Sequence, residues 1–86
     1  MKNLEKTLKA LANKRRLAVI KYLKHVREAS VGEIAQEIGL SFKSTSRHIR
    51  ILLSASILDR DQRALSVYYY LDKNISALLK LILSML

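Results

Sequence analysis

Apolar residues recur at three- and four-residue spacing through most of the chain, and each change of rhythm marks a change of element. Leu4, Leu8 and Leu11 predict a first helix over residues 3–11, with lysines on its outer side. Asn13 is placed to cap a second helix whose apolar positions are Leu17, Ile20, Tyr22 and Leu23 and whose polar positions are Lys14, Arg15, Arg16, Lys21 and Lys24. The rhythm lapses at "KHVREA", where that helix should fray. Ser30 followed three residues later by Glu33 has the form of a capping box, and Ile34, Ala35 and Ile38 then give a short buried stripe. Gly39 suits a left-handed C-cap, with Leu40 anchoring the turn.

The next stretch, "SFKSTSRHIRILL", crowds hydroxyls and cations onto a segment that ends apolar. With Ser41 or Ser44 as cap, it predicts a helix to about Ser54. At 100° per residue, Thr45, Ile49, Leu52 and, less centrally, Leu53 point inward, while Lys43, Ser46, Arg47, Arg50 and Ser54 fall opposite and Ser44 at one edge. Two short helices meeting at Gly39 and Leu40, the second with a basic outer face, have the form of a helix-turn-helix. The period then becomes two. Leu58 and Arg60 suggest a strand, Asp61, Gln62 and Arg63 a polar hairpin tip, and Ser66 to Leu71 a second strand rich in aromatic residues. A hairpin directly after such a helix is placed as a wing. From Asn74, a candidate cap, "ISALLKLILSML" predicts a last helix with apolar residues around most of its circumference. The expected fold is therefore mainly α with a small β-hairpin, in the order α-α-α-α-β-β-α, as one winged helix-turn-helix domain over residues 1–86.

Composition sharpens this picture. A domain of 86 residues buries only about 60–65% of the surface its unfolded chain exposes, yet half of these residues are apolar. A partner subunit is the simplest way to cover the surplus, which is concentrated in residues 74–86. Sixteen Lys and Arg against seven Asp and Glu give a net charge of +9, which favours a polyanionic partner. The absence of cysteine removes disulfides, thiolate metal sites and thiol nucleophiles together. With only two histidines, and no paired carboxylates near either, no acid-base or nucleophilic set is visible, so an enzyme is not expected. "MKNLEKTLKALANKRR" lacks the unbroken apolar core of a secretory segment, and Lys80 interrupts a C-terminal run too short to span a bilayer. A cytoplasmic protein with no membrane partner is the expectation.

Within the expected second helix of the pair, Arg47 lies one turn after Lys43 and is placed for base edges, with Arg50 better placed for phosphate. Ser44 and Ser46 are phosphate donors unless one is the cap, and Thr45 belongs to the packing between helices. His48 borders the inward stripe, as a packed or phosphate-contacting residue. Arg60, Gln62 and Arg63 fit a wing that tracks the backbone or minor groove, tempered by Asp59 and Asp61. Lys14, Arg15 and Arg16 stand at a helix start, where positive charge opposes the macrodipole, which makes a binding role for them worth testing. Tyr68, Tyr69 and Tyr70 alternate faces of their strand, so at least one is core.

"LKALANKRRLAVIKYLKH", "VGEIAQEIGLSFKSTSRHIRIL" and "SVYYYLD" together resemble the winged helix-turn-helix regulators of the ArsR/SmtB type over about residues 4–72. That resemblance implies sequence-specific binding of double-stranded DNA by a homodimeric transcriptional regulator, a repressor on a palindromic operator. It implies groove-facing roles for Phe42, Lys43, Ser44, Ser46, Arg47 and His48. It also implies a dimer interface from the terminal helices 3–11 and 74–86, here Leu4, Leu8, Ile75, Leu78, Leu79, Ile82, Leu83 and Leu86. The chain departs from the family's pattern in three places. Phe42 replaces a base-reading glutamine, able only to meet a thymine methyl or to tuck under the helix. "LLSASILDR" turns without the family's glycine. The sensing cysteines are replaced by Ala29, Ser30, Val31 and Gly32, and the last helix carries neither histidine nor acid, so neither metal nor cofactor is expected. The alternatives are an architectural or protein-interaction winged-helix module with little base specificity, or a basic membrane-surface protein anchored through residues 75–86.

Overall fold

Side-chain caps fix where three of the helices begin. In the computed structural model, which describes residues 4–75 and 77–86, α1 spans Leu4–Leu11 and α2 spans Lys14–Val26. Asn13 Oδ1 accepts from the backbone N–H groups of Arg15 (2.9 Å) and Arg16 (3.1 Å), satisfying donors that the first turn of α2 leaves unpaired. A third helix, α3 (Val31–Ile38), opens on the full capping box: Glu33 N–H donates to Ser30 Oγ, and Ser30 N–H donates to the Glu33 carboxylate. Those bonds from Ser30 hold the Glu33 carboxyl below its ordinary value. Gly39 closes α3 in the left-handed conformation at φ 66°. Ser41, not Ser44, caps α4 (Phe42–Ser54), its Oγ accepting from Ser44 N–H at 3.1 Å.

The fold is mainly α with a small antiparallel sheet in the winged helix-turn-helix arrangement. Behind α4, β2 (Leu58–Arg63) and β3 (Ser66–Leu71) form the hairpin. A third strand, β1 (Glu28–Ala29), pairs with the other edge of β3, so the sheet order is β1-β3-β2. The sequence reading missed β1, because two residues are too few to display an alternating pattern; the pairing to Tyr69 and Tyr70 creates the strand. Where fraying was expected, α2 stops at Val26 and Arg27 turns the chain at φ 75°.

Two further expectations are corrected. The hairpin tip is Ala64 and Leu65; Asp61, Gln62 and Arg63 continue the strand, with Arg63 paired to Ser66. Strand pairing outweighs the polarity of those three residues, and the apolar Leu65 is left fully exposed at the turn. The last helix, α5, spans Ala77–Ser84 and not 74–86. Ahead of it, Asp72 Oδ1 accepts the Asn74 N–H at 2.8 Å and folds this stretch into a turn. At the other end, Met85 and Leu86 bond back to the carbonyls of Ile82 and Leu83, and Lys24 Nζ donates to the Leu83 carbonyl at 2.8 Å. Residue 3 of the expected first helix lies outside the described residues.

The core joins Val19, Ile20 and Leu23 of α2 to Ile34, Ile49 and Leu52 of the helix pair and to Ile57 and Leu58 at the base of the hairpin. From α5, Leu79 and Leu83 complete it. Burial of this set, at about 25 cal/mol per Å² of apolar surface, holds the helix pair against α2 and so fixes the outward direction of α4.

Candidate nucleic-acid interface

The inward stripe of α4 is as its periodicity requires: Thr45, Ile49 and Leu52 are buried. The opposite face carries Lys43, Arg47 and Arg50, all exposed, with Ser44, Ser46 and His48 half-buried beside them. None of the three cations makes an ion pair among the described residues. Phe42 is the first residue of α4 and is 63% exposed, so it does not tuck under the helix.

The hairpin divides its charged residues by strand parity, because residues paired across an antiparallel sheet share a face. Leu58, Arg60 and Gln62 pair with Leu71, Tyr69 and Val67, on the face toward the core and α4. Arg60 accordingly joins Ser46, Arg50 and Leu53 around a cleft between α4 and the sheet, floored by Tyr69. Arg63 falls on the other face, where its guanidinium donates to the Glu28 carboxylate, stands 3.5 Å from Asp61 and lies 4.1 Å over the Tyr68 ring. Of the three hairpin residues singled out in the sequence, Arg60 and Gln62 thus share a face with α4 and Arg63 does not. The outer face is instead acidic and aromatic. There burial pushes the Tyr70 phenol up, helped by Asp59, Asp61 and Asp72.

Arg15 and Arg16 prove to be structural. Arg15 Nη1 donates to the Ile38 carbonyl at the end of α3 (3.1 Å). Arg16 donates through Nε to the Ala10 carbonyl (2.6 Å) and through Nη2 to the Lys9 carbonyl (3.1 Å), closing the end of α1. Each guanidinium thus sits at the negative end of a neighbouring helix, which offsets its unfavourable place at the start of α2. Arg16 Nη1 also lies 3.3 Å from His48 Nδ1. Burial, and then the charges of Arg16, Arg15 and Arg47, hold the His48 imidazole below its ordinary value.

The terminal helices divide their leucines in two. Leu79 and Leu83, expected at an interface between subunits, are buried in this chain's own core at 3% and 7% exposure, and Ile75, Ile82 and Leu86 pack against that core. The exposed large apolar residues at this end are Leu78 and Leu81 of α5 and Met85 just after it, and on α1 Leu8, with Leu4 half-buried. Leu81 and Met85 were not singled out from the sequence, since a helix apolar on all sides gives no periodicity with which to separate inner from outer residues. No helix among the described residues is long and apolar enough to cross a membrane, and no three His, Cys, Asp or Glu side chains among them form a group able to hold a metal ion.

The sequence profile of the helix-turn-helix domain matches residues 11–61, more than half of the chain. The chain belongs to the helix-turn-helix domain family. Among solved structures, this helix-turn-helix protein is similar to HlyU from Vibrio cholerae, at 30% identity over 98% of this chain and 84% of that one, with a TM-score of 0.82. HlyU from Vibrio vulnificus, described as a transcriptional regulator, is 36% identical over 93% of this chain and 83% of that one, at a TM-score of 0.76. The homodimeric winged helix-turn-helix DNA-binding domain Mb0332 from Mycobacterium bovis, a possible ArsR-family regulator, is 25% identical, covering 98% of this chain and 78% of that one at a TM-score of 0.86. No curated protein sequence matches the chain.

Proposed function

We propose that this chain is a transcriptional regulator of the ArsR-like kind, which binds double-stranded DNA as a homodimer and represses from a palindromic operator. The observation that carries this reading is the line of cations on the outer face of α4, Lys43, Arg47 and Arg50, which make no ion pair among the described residues and are extended by Arg60 across the cleft. The similarity to proteins described as transcriptional regulators supports it. In this reading the N-terminal half of α4 enters the major groove. Lys43 and Arg47 meet guanine edges, where a guanidinium can form two parallel bonds to O6 and N7. Phe42 offers an apolar contact to a thymine methyl. Ser44, Ser46 and Arg50 meet phosphates, and His48 donates from Nε2. Arg60 and Gln62 track the flanking backbone, whereas Arg63 and its acidic neighbours stay away from DNA. The exposed stripe Leu78, Leu81 and Met85, with Leu4 and Leu8 of α1, forms the seam between protomers.

Selection of bound sequences from a random duplex pool tests this reading. A palindromic consensus with half-sites about one helical turn apart is expected. Equal affinity for selected and scrambled duplexes would leave only an architectural role.

A further inference from the structure

A groove of about 550 Å³ runs between α1 and the C-terminal half of α4. It adjoins the outer face of α4 and shares Arg50 with it. Its volume falls within the range of about 300–1,000 Å³ typical of small-molecule sites. Ala10, Ile51 and Ala55 give it an apolar floor, and Lys6, Lys9, Arg16 and Arg50 a cationic rim. Glu5 is the single acid in the lining and lies 3.7 Å from Lys9. Lys6 and Arg50 make no ion pair among the described residues.

From this geometry we infer that the groove is an effector site for a small amphipathic anion, a carboxylate or phosphate head on an apolar body, whose binding lowers affinity for DNA. The head answers the surplus of positive charge, and the body answers the apolar floor, which a phosphate of the DNA backbone would leave uncovered. A second copy of the chain is a poorer occupant. Leu4 and Leu8 lie along a different edge of α1 from Lys6 and Lys9, at least 100° away around the helix, so a seam built on them leaves the groove open.

The regulatory half of this inference rests on the proposed DNA-binding role. Arg50 belongs both to the groove and to the outer face of α4, so an anion that neutralises it removes a phosphate contact. Arg16 lines the groove as well, bonded to the α1 carbonyls on one side and next to His48 of α4 on the other. An occupant that shifts α1 therefore acts on the recognition helix through one guanidinium.

The test titrates the full chain, without DNA, with sodium decanoate, decyl phosphate, decanol and acetate, following backbone amide shifts by NMR. Saturable shifts at Lys9, Arg50, Ile51 and Ala55 are expected from decanoate or decyl phosphate, the stronger of the two identifying the head, and neither decanol nor acetate should reproduce them. Ile51→Gln, at an exposed position outside the proposed DNA contacts, should abolish these shifts and keep wild-type duplex affinity. Saturating the stronger ligand should weaken duplex binding about tenfold in the wild type. Shifts confined to Leu78, Leu81 and Met85, an equal response to decanol, or undiminished binding by Ile51→Gln would overturn the site. Occupancy with unchanged duplex affinity would overturn its regulatory role. Because the first titration contains no DNA, a failed groove is distinguished from a failed DNA-binding reading.

Discussion

Arg16 Nη1 stands 3.3 Å from His48 Nδ1, joining the start of α2 to α4. A guanidinium only donates, so Nδ1 must be the acceptor and the ring proton sits on Nε2. Burial, with the charge of Arg16 next, holds the His48 imidazole below its ordinary value, so it stays neutral to lower pH than in an unfolded chain. As pH falls below the ordinary histidine value of 6.5, the unfolded state binds the proton first, and folding stability is lost; above that value the effect is absent. His48→Gln should therefore flatten the fall in melting temperature between about pH 7 and pH 5. Arg16→Ala should raise the histidine pKa measured by NMR. A His48 that titrates at or above its ordinary value would contradict this arrangement.

Thr45 is fully buried on the inner face of α4, and its Oγ1 has no hydrogen-bond partner among the described residues. A hydroxyl desolvated without compensation costs about 1–3 kcal/mol, and valine has nearly the same shape. Thr45→Val should stabilise the fold by about 1 kcal/mol in chemical denaturation. A loss of stability would mean that the hydroxyl has a partner in solution.

The turn out of α4 places Ser56 at φ 59°, a left-handed conformation that favours glycine. This is the stretch whose lack of glycine stood out in the sequence. Ser56→Gly should raise stability by about 1 kcal/mol, less whatever entropy glycine adds to the unfolded chain, and Ser56→Val should lower it. Equal melting temperatures for the three proteins would show that the turn relaxes.

On α5, inner and outer leucines should behave differently. Leu78→Lys with Leu81→Lys should leave a folded monomer in sedimentation equilibrium, because both side chains are exposed. Leu83→Ala should instead cost about 2–5 kcal/mol of folding stability, since its side chain is buried in the chain's own core. A double lysine variant that remains dimeric would move the seam elsewhere.

Much of this architecture was legible because local chemistry and long-range packing agree. Asn13, Ser30 with Glu33, and Gly39 mark helix ends through their own side chains or backbone freedom, and the stripe Thr45, Ile49, Leu52 sets which face of α4 turns outward. What failed to show depends on partners remote in sequence. The two residues of β1 become a strand only by pairing with β3. Arg15 and Arg16 look like surface charges until the ends of α3 and α1 come beside them. Arg63 looked equivalent to Arg60, and parity alone hinted that three residues of separation would put them on opposite faces of the sheet. Which leucines of α5 point inward was hidden by a sequence apolar in every direction.

That separation of Arg60 and Arg47 from Arg63 gives the most direct test of DNA binding through α4 and the inner face of the hairpin. The measurement is duplex affinity of the wild type, Arg47→Ala and Arg63→Ala on the selected sequence, across a series of salt concentrations. Arg47→Ala should lose about tenfold or more in affinity, as expected for a base contact, while Arg63→Ala, its charge held by Glu28 and Asp61, should stay within about twofold and keep the wild-type salt slope. Wild-type affinity in Arg47→Ala, or an equal loss in Arg63→Ala, would contradict it.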